Sequence, residues 1–422
     1  MNKEKWKTNK LEEVTKIVFS GGTPNTKKEE YWNGDLNWLS SGETRNSYIT
    51  DTEKTITQLG VDESSTRLAK KGDIVIASAG QGLTRGQTSF CQIDTYINQS
   101  LISIRSDESK VHNKFIFYNI KGRYNELRQI SDGHSIRGSL TTKIIKGLSI
   151  TYPSFEEQKR IADILSSLDD KIEVNNKISR DLEELSQSLY KHWFIDFEFP
   201  NTEGEPYKSS GGNMIDSDLG LIPVGWKIEK LGKSSISSLV KSGINDFYDE
   251  KIYLATADVT DTTITNHDTK ITFEEKPSRA NMQPKENTVW FAKMKNSRKL
   301  IRVSKENNEL IKGYIFSTGF AGLESKNYTN YLWTLISSTN FDDVKNNMAT
   351  GTTQEAINNG VINNFDFIVP EKTILDKFEK LTNDIYNKIS QNDRENIMLS
   401  EMRDLLLPKL MSGEIQVPVE ED

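Results

Sequence analysis

Two long segments of the chain carry apolar residues at alternating spacings of three and four, and each segment begins at a proline. The segments start at Pro153 and Pro370. The repeating positions of the first are Leu165, Leu168, Ile172, Asn175, Leu182 and Leu189, and those of the second are Phe378, Leu381, Ile385, Lys388 with its apolar neighbour Ile389, Asn392, Leu399, Met402 and Leu406. This spacing predicts two amphipathic helices with coiled-coil seams, over residues 153–198 and 370–413.

The two segments share one register, which indicates an internal repeat. A shift of 217 residues carries Asn175 onto Asn392, and this shift is a whole number of heptads. The start of each half also repeats, because the pattern Trp-x4-Leu at Trp6 returns at Trp226. A period this long indicates a duplicated domain plus helix, related by a pseudo-two-fold repeat.

Outside the two helices, short apolar runs alternate with turn residues, which predicts an α+β fold with two mixed domains. We expect a first domain over 1–152, a linker over 199–225, a second domain over 226–369 and a tail over 414–422. The clearest predicted strands are 74–77, 96–104 and 148–150 in the first domain and 288–292, 313–316 and 365–369 in the second, with helices over 115–130 and 328–338.

Pairing the two long helices antiparallel would bury both seams and make them a spacer between the domains. Asn175 and Asn392 would then lie in the seam, where a polar residue lowers stability but fixes the register. The alternative is that each helix packs only on its own domain.

Composition restricts the class of protein. No run of 18 apolar residues is present, and Met1–Lys5 lacks the apolar core of a signal peptide, so we expect a cytoplasmic protein without a membrane segment. The single cysteine, Cys91, excludes an internal disulfide and is expected to be a small buried residue. The four histidines have no metal-ligand spacing, so no metal site is expected.

Charge is segregated along a chain whose net charge is −7. Acidic residues concentrate in the first long helix and after it, and basic residues concentrate in 293–312 and, more loosely, in 121–146. Such segregation can neutralise phosphates on one face while an acidic helix meets a protein partner. Ordinary solvated surfaces are the alternative.

The sequence lacks the common motifs of nucleotide-binding and hydrolytic sites. The glycines of 80–86 follow G-x-G-x-x-x-G, which does not match the dinucleotide fingerprint, and Gly232-Lys233-Ser234 lacks the spacing of a phosphate loop. Neither Gly-x-Ser-x-Gly nor His-Glu-x-x-His occurs. The sequence therefore favours a non-catalytic protein that contacts something at two points.

Several motifs, in order along nearly the whole chain, carry a family resemblance. They are Gly21-Gly22-Thr23-Pro24, Tyr31-Trp32-x-Gly34-Asp35-Leu36-x-Trp38-Leu39-Ser40-Ser41-Gly42-Glu43, Lys71-Gly72-Asp73-Ile74-Val75-Ile76, Ile97-Asn98-Gln99-Ser100-Leu101, Pro153-Ser154-x-Glu156-Glu157-Gln158-Lys159-Arg160-Ile161-Ala162, His192-Trp193-Phe194-x-Asp196-Phe197, Gly220-x-Ile222-Pro223-x-Gly225-Trp226 and Arg403-Asp404-x-Leu406-Leu407-Pro408-Lys409-Leu410-x-Ser412-Gly413. With these motifs the chain resembles the specificity subunit of type I restriction-modification systems, called HsdS.

The resemblance implies two target recognition domains, each reading one half of a split, asymmetric double-stranded DNA sequence, with the helices setting the gap. It also implies two modification (methyltransferase) subunits docked around the helices and added restriction subunits. S-adenosylmethionine, ATP and Mg are then expected on those partners, and no cofactor on this chain. We expect the acidic residues Asp169, Asp170 and Glu173 to form a docking face for the modification subunits.

Individual DNA contacts are predicted from polar and basic residues in turns. They are Thr23, Arg85, Gln87, His134 and Arg137 in the first domain and Lys293, Lys295, Asn296, Ser297, Arg298, Lys299, Thr352 and Gln354 in the second. A turn residue or a solvated charge is the alternative for each. The second domain lacks the Gly-Thr-Pro sequence of the first, so contacts are not transferred between the two.

The sequence is also compatible with two other functions. One is a stand-alone, two-headed DNA-binding regulatory protein, which would bind specifically without partners. The other is an enzyme with an unrecognised site, for which turnover by the isolated chain would be evidence.

Overall fold

The computed structural model describes residues 6–80, 83–133, 138–351 and 355–418. The chain forms two compact units. Unit 1 comprises Met1–Val174 and Glu395–Asp422, and unit 2 comprises Asn175–Arg394. Each long helix contributes one part to each unit, so the units do not coincide with the domain boundaries predicted from sequence. Among the described residues, every helix falls short of the length or the apolar character that a membrane crossing requires.

Unit 1 contains eleven strands and four short α-helices in its described part. The strands are β1 (Lys7–Lys10), β2 (Thr15–Ser20), β3 (Trp32–Leu39), β4 (Tyr48–Ile49), β5 (Lys54–Ile56), β6 (Arg67–Ala69), β7 (Ile74–Ala77), β8 (Thr88–Cys91), β9 (Thr95–Ile97), β10 (Leu101–Ser106) and β11 (Ser149–Tyr152). The helices are α1 (Gln58–Asp62), α2 (Asn113–Lys121), α3 (Tyr124–Asp132) and α4 (Thr142–Lys146).

Two sheets organise unit 1. The larger has the order β2-β10-β7-β8-β4, and the smaller has the order β5-β3-β9-β6, with β3 and β9 parallel. Every residue of β7 is buried, as expected for an uninterrupted apolar strand that is covered on both faces. The predicted strand 96–104 is two strands, β9 and β10, because Asn98 turns the chain between them.

The core of unit 1 joins α2 to the long helices. Phe115 and Tyr118 are fully buried, and so is Leu127 of α3. The helix predicted over 115–130 is broken at Gly122, where a Cβ atom would lie 3.3 Å from Cγ of Leu407. The absence of a side chain at Gly122 therefore allows the last helix to approach this closely. Cys91 is fully buried, as predicted.

Unit 2 contains fourteen strands and four short α-helices in its described part. The strands are β12 (Met214–Ile215), β13 (Ile222–Pro223), β14 (Lys227–Lys230), β15 (Ser238–Leu239), β16 (Lys251–Leu254), β17 (Val259–Thr260), β18 (Thr263–Ile264), β19 (Lys270–Ile271), β20 (Ala280–Met282), β21 (Thr288–Ala292), β22 (Leu300–Val303), β23 (Tyr314–Ser317), β24 (Phe320–Glu324) and β25 (Asp366–Val369). The two long helices are α5 (Phe155–Tyr190), followed by a π-helical turn over Lys191–Ile195, and α10 (Lys372–Met411). The short helices are α6 (Asn308–Gly313), α7 (Thr329–Ile336), α8 (Thr339–Met348) and α9 (Asn359–Asn364).

The sheets of unit 2 repeat those of unit 1. The order β15-β24-β21-β22 matches β2-β10-β7-β8, and β19-β16-β23-β20 matches β5-β3-β9-β6, including the parallel pair. Each unit also contains an equivalent antiparallel pair that joins an early strand to its last strand, β1 with β11 and β14 with β25. The predicted α+β class and the internal duplication are therefore confirmed.

The segment 199–225, predicted as an extended linker, is instead folded onto unit 2. Phe199 stacks on Trp226 with ring centroids 4.9 Å apart and on Tyr207 at 4.5 Å. The strands β12 and β13 pair as a hairpin within the same segment. The aromatic residues explain the difference, because their apolar surface is buried with the core of unit 2.

The long helices pair antiparallel within each unit. In unit 1, Asp169 contacts Arg403, and Lys171 lies 3.4 Å from Glu395. The contacts therefore advance along one helix as they go back along the other. In unit 2, the Asn392 side chain donates a hydrogen bond of 3.3 Å to the Asn175 carbonyl, and both residues are fully buried. The predicted pairing and its polar seam position are thus confirmed.

Two predicted seam positions are wrong. Leu381 and Met402 are 54% and 51% exposed. Thr382 and Tyr386 are buried instead, following Phe378 at intervals of four residues. The seam leaves the strict heptad here because an α-helix of 3.6 residues per turn drifts relative to a 3.5-residue repeat.

Candidate nucleic-acid interface

The loop that follows β7 in unit 1 is held against the segment that follows α3. The Arg85 guanidinium donates to the Asp132 carboxylate, and its side chain is only 8% exposed. Gly138 adopts φ +53° beside it, and a Cβ atom there would lie 2.0 Å from Nη1 of Arg85. Arg85 therefore joins the two loops through a guanidinium that is buried here, and its DNA contact stays a prediction.

The remaining predicted residues of unit 1 are half-buried or not described. The Thr23 hydroxyl donates to the Gln99 side chain. The Gln87 side-chain oxygen accepts a hydrogen bond of 3.4 Å from Thr44. His134 and Arg137 lie outside the described residues, so their DNA contacts stay predictions.

Unit 2 repeats this pairing of loops. Residues 293–299, which we name the basic loop, follow β21 and lie along the segment after α8. Two backbone hydrogen bonds join them: Lys295 N–H donates to the Glu355 carbonyl at 2.9 Å, and Ile357 N–H donates to the Lys293 carbonyl at 3.0 Å. In unit 1 the corresponding bond runs from Leu140 N–H to the Ser78 carbonyl at 2.8 Å. Thr352 and Gln354, predicted for the same segment, lie outside the described residues.

Three cations of the basic loop are engaged by neighbouring groups. Lys295 pairs with Glu355 at 2.7 Å, Arg298 pairs with Asp342 at 2.6 Å, and the Lys299 ammonium donates to a backbone carbonyl at 2.6 Å. Ion pairs that are partly exposed contribute only about 0–1 kcal/mol, so phosphate oxygens can replace these carboxylates at little cost. The loop therefore presents cations that are held in place by partners which phosphate oxygens can replace.

Lys293 has a cationic neighbour that the sequence did not indicate. The Arg279 side chain lies over the Gly319 turn, with Nη2 3.4 Å from the position of a Cβ there, and Lys293 N–H donates to the Gly319 carbonyl at 3.0 Å. Burial and the charge of Arg279 lower the pKa of Lys293. Within the described residues, no carboxylate forms an ion pair with either cation. Such a pair suits an anionic ligand such as phosphate.

A buried lysine supports the basic loop from below. Lys345 of α8 is 1% exposed, and its ammonium donates to the Ser297 carbonyl at 2.8 Å and lies 3.1 Å from Asp342. The next residue, Asn346, accepts a hydrogen bond of 2.8 Å from Asn296 N–H, where φ is +52°. Sequence reasoning missed both residues, because a lysine and an asparagine on a polar helix have the pattern of a solvated surface.

The three residues predicted to form a docking face differ in burial. Asp169 is buried in unit 1, where it lies 2.6 Å from Arg403 and 3.3 Å from Lys121 and accepts a hydrogen bond of 2.9 Å from Tyr118. Burial would raise the pKa of Asp169, but the two cations outweigh it and hold the pKa below its ordinary value. Asp169 is therefore buried in unit 1, and its docking role stays a prediction.

The other two docking candidates remain near the surface. Asp170 is exposed, with its carboxylate 3.9 Å from Lys114, and Glu173 is half-buried. Their docking role stays a prediction.

The chemistry of the two loop pairs is that of binding. Amide, hydroxyl, ammonium and guanidinium groups meet there, and these groups recognise phosphates and base edges. Among the described residues, no group of three or more histidine, cysteine, aspartate or glutamate side chains has a geometry suited to a metal ion.

Comparison with known proteins gives a consistent set of relatives. Residues 3–184 match the family described as type I restriction modification DNA specificity domain. The chain is 29% identical to the type I restriction enzyme MjaIX specificity subunit of Methanocaldococcus jannaschii, over 98% of this chain and 94% of that protein. It is 25% identical to the HindI specificity subunit of Haemophilus influenzae, over 82% of this chain and 87% of that protein.

One solved structure has the same fold. The S subunit of a type I restriction-modification system from M. genitalium aligns with a TM-score of 0.50 at 16% identity, covering 96% of each chain.

Proposed function

Because the chain belongs to the family of type I restriction-modification specificity subunits, we propose that each of its two domains reads one half of a bipartite, asymmetric DNA target. A specificity subunit is the non-catalytic part of its restriction enzyme. One observation carries the proposal. The same pair of loops, one after a buried strand and one after a helix, occurs once in each unit.

The chemistry of the loops supports DNA as the ligand. The basic loop holds Lys293, Lys295, Arg298 and Lys299, and Arg279 adds a further cation from outside the loop. Phosphate contacts from these groups would position the domain, and polar groups such as Asn296 and Gln87 would reach base edges. The loop sequences differ between the units, so we infer that the two half-sites differ in sequence.

Exposed apolar residues on the long helices support docking of two copies of one partner. Ile164 and Leu381 are both exposed, and the 217-residue shift relates them. Leu185 and Met402 are also both exposed and related by the same shift. Equivalent apolar positions in the two units suit two identical modification subunits, with S-adenosylmethionine bound by them.

The restriction subunits complete the proposed assembly. In this reading they supply ATP-driven translocation with Mg, the helices of this chain set the gap between half-sites, and the partner methylates an adenine in each. Because the proposed ligand is cellular DNA, we expect the assembly in the cytoplasm.

The test is selection of bound sequences from a random DNA pool by the chain assembled with its modification subunit. We expect two short defined blocks separated by a fixed gap. Replacing Asn296 by glycine removes a proposed base contact at a position whose positive φ suits glycine, and it should change only one block. Lys312→Ala, which alters an exposed residue of the same unit outside the basic loop, is the control and should change neither.

Two results would contradict the proposal. One is a single uninterrupted block for the unaltered chain. The other is a change in both blocks when only the basic loop of unit 2 is altered.

A further inference from the structure

The duplication raises a question of pairing. Since α5 and α10 are equivalent helices, α5 of one chain has the option of pairing with α5 of a second copy of the chain. The 217-residue shift identifies which residues would then meet. It relates Asp169 to Tyr386 and Ser186 to Arg403. The contact between Asp169 and Arg403 in unit 1 is therefore equivalent to the contact between Tyr386 and Ser186 in unit 2.

These two equivalent contacts have different chemistry. In unit 1 a carboxylate that is 1% exposed meets a guanidinium at 2.6 Å. In unit 2 the Tyr386 and Ser186 hydroxyls lie 2.7 Å apart, both buried, and Thr334 joins them at 3.0 Å from Tyr386. One contact is ionic and the other is neutral.

The polar centre of the seam does not make this distinction. The shift relates Asn175 to Asn392, so the same residue type would occupy the centre in either pairing. This position fixes register but cannot select between partners.

Pairing α5 with a second α5 would leave both ionic residues badly placed. Asp169 would face Ser186 of the second chain and would keep only Lys121 as a cation. Arg403 would face Tyr386, over whose ring Arg302 already lies at 4.9 Å. A buried carboxylate with a missing cation and two guanidinium groups at one ring are both unfavourable.

We propose that the Asp169–Arg403 contact makes helix pairing selective, so that α5 pairs with α10 of its own chain and rejects a second copy of itself. The inference is independent of DNA reading, because it concerns only how the duplicated halves recognise each other. Selection by an unfavourable alternative is the usual means by which similar helices are kept from mispairing.

The experiment uses the full chain with a protease site inserted at the exposed Gly204 turn, where a side chain would meet nothing within 4 Å. The chain folds intact and is then cut into an N-terminal and a C-terminal fragment. A mixed pair contains one copy of each fragment, and a like pair contains two copies of the same fragment. Native mass spectrometry measures the share of each kind of pair as the fragments exchange. We expect only mixed pairs from the unaltered chain. Arg403→Ser gives position 403 the same residue as its equivalent, Ser186, and should raise the share of like pairs at least ten-fold.

Three further variants keep the test decisive. Asp169→Asn should also raise the share of like pairs, and it retains the shape of the side chain in case Arg403→Ser does not fold. Arg403→Lys keeps the cation and should behave as the unaltered chain. Leu165→Ala removes buried apolar surface from the same unit and should lower stability without producing like pairs. Exclusive mixed pairing by Arg403→Ser and Asp169→Asn, or equal shares of like pairs from Leu165→Ala, would overturn the proposal.

Discussion

Replacing Lys345 by methionine should destabilise unit 2 and weaken its grip on DNA. The substitution keeps the length and apolar stem of the side chain but removes the ammonium that donates to the Ser297 carbonyl at 2.8 Å. A hydrogen bond from a charged donor contributes about 1.5–3 kcal/mol. Asp342 keeps Arg298 as its partner at 2.6 Å, so the lost ion pair adds little. We therefore expect a loss of about 2 kcal/mol, which lowers the melting temperature of a unit of this size by about 4–8 °C.

The assay is thermal unfolding together with DNA binding by the assembled complex. The control is Lys312→Met, which makes the same change of charge at an exposed position of unit 2 and should stay within about 0.5 kcal/mol of the unaltered chain. The DNA affinity of Lys345→Met should fall only for targets in which the half-site read by unit 2 is intact. If Lys345→Met melts with the control and binds DNA normally, the lysine does not support the basic loop.

Three further outcomes are expected. Arg279→Ala and Lys293→Ala should each reduce the steepness of log affinity against log salt concentration by about 0.9 and leave the sequence preference unchanged. The measurement is DNA affinity at a series of salt concentrations. An unchanged slope would show that the substituted residue does not contact a phosphate. Burial raises the pKa of Glu379 to about 7 in the folded chain, so the folded state binds a proton more tightly than the unfolded state and stability falls as pH rises from 4.5 to 7. Glu379→Gln should therefore raise the melting temperature more at pH 8 than at pH 5. Equal shifts at the two pH values would contradict this. Asn392→Leu should raise the free energy of unfolding by about 1 kcal/mol, because the Asn392 Oδ1 atom is buried and lacks a hydrogen-bond partner within the described residues. A lower free energy of unfolding in a denaturant titration would contradict this.

Patterns that depend on local burial could be predicted from sequence. The strand over 74–77 was predicted with its observed bounds, because four consecutive apolar residues suit a strand that is covered on both faces. The helix predicted over 153–198 extends from Phe155 to Tyr190 with its π-helical turn, because the seam spacing persists along its length. The duplication followed from the fixed shift between the halves and is seen again in the sheet orders.

Roles that depend on distant partners could not be predicted. Asp169 lies on an acidic helix and has the pattern of a solvated residue, but its cations come from positions 48 and 234 residues away along the chain. Arg85 has the pattern of an exposed loop cation, but Asp132, 47 residues away, holds it in the interior. No spacing in the sequence brings these groups together, since sheet packing and helix pairing do so.

The central claim, that this chain reads two separate DNA half-sites, is tested most directly by mapping N6-methyladenine across a genome. The chain would be expressed with its modification subunit in cells that lack other adenine methylation, and methylated positions would be read by single-molecule sequencing. We predict methylation within a motif of two short defined halves around an unspecified gap of fixed length. Methylation within one continuous motif would contradict the claim.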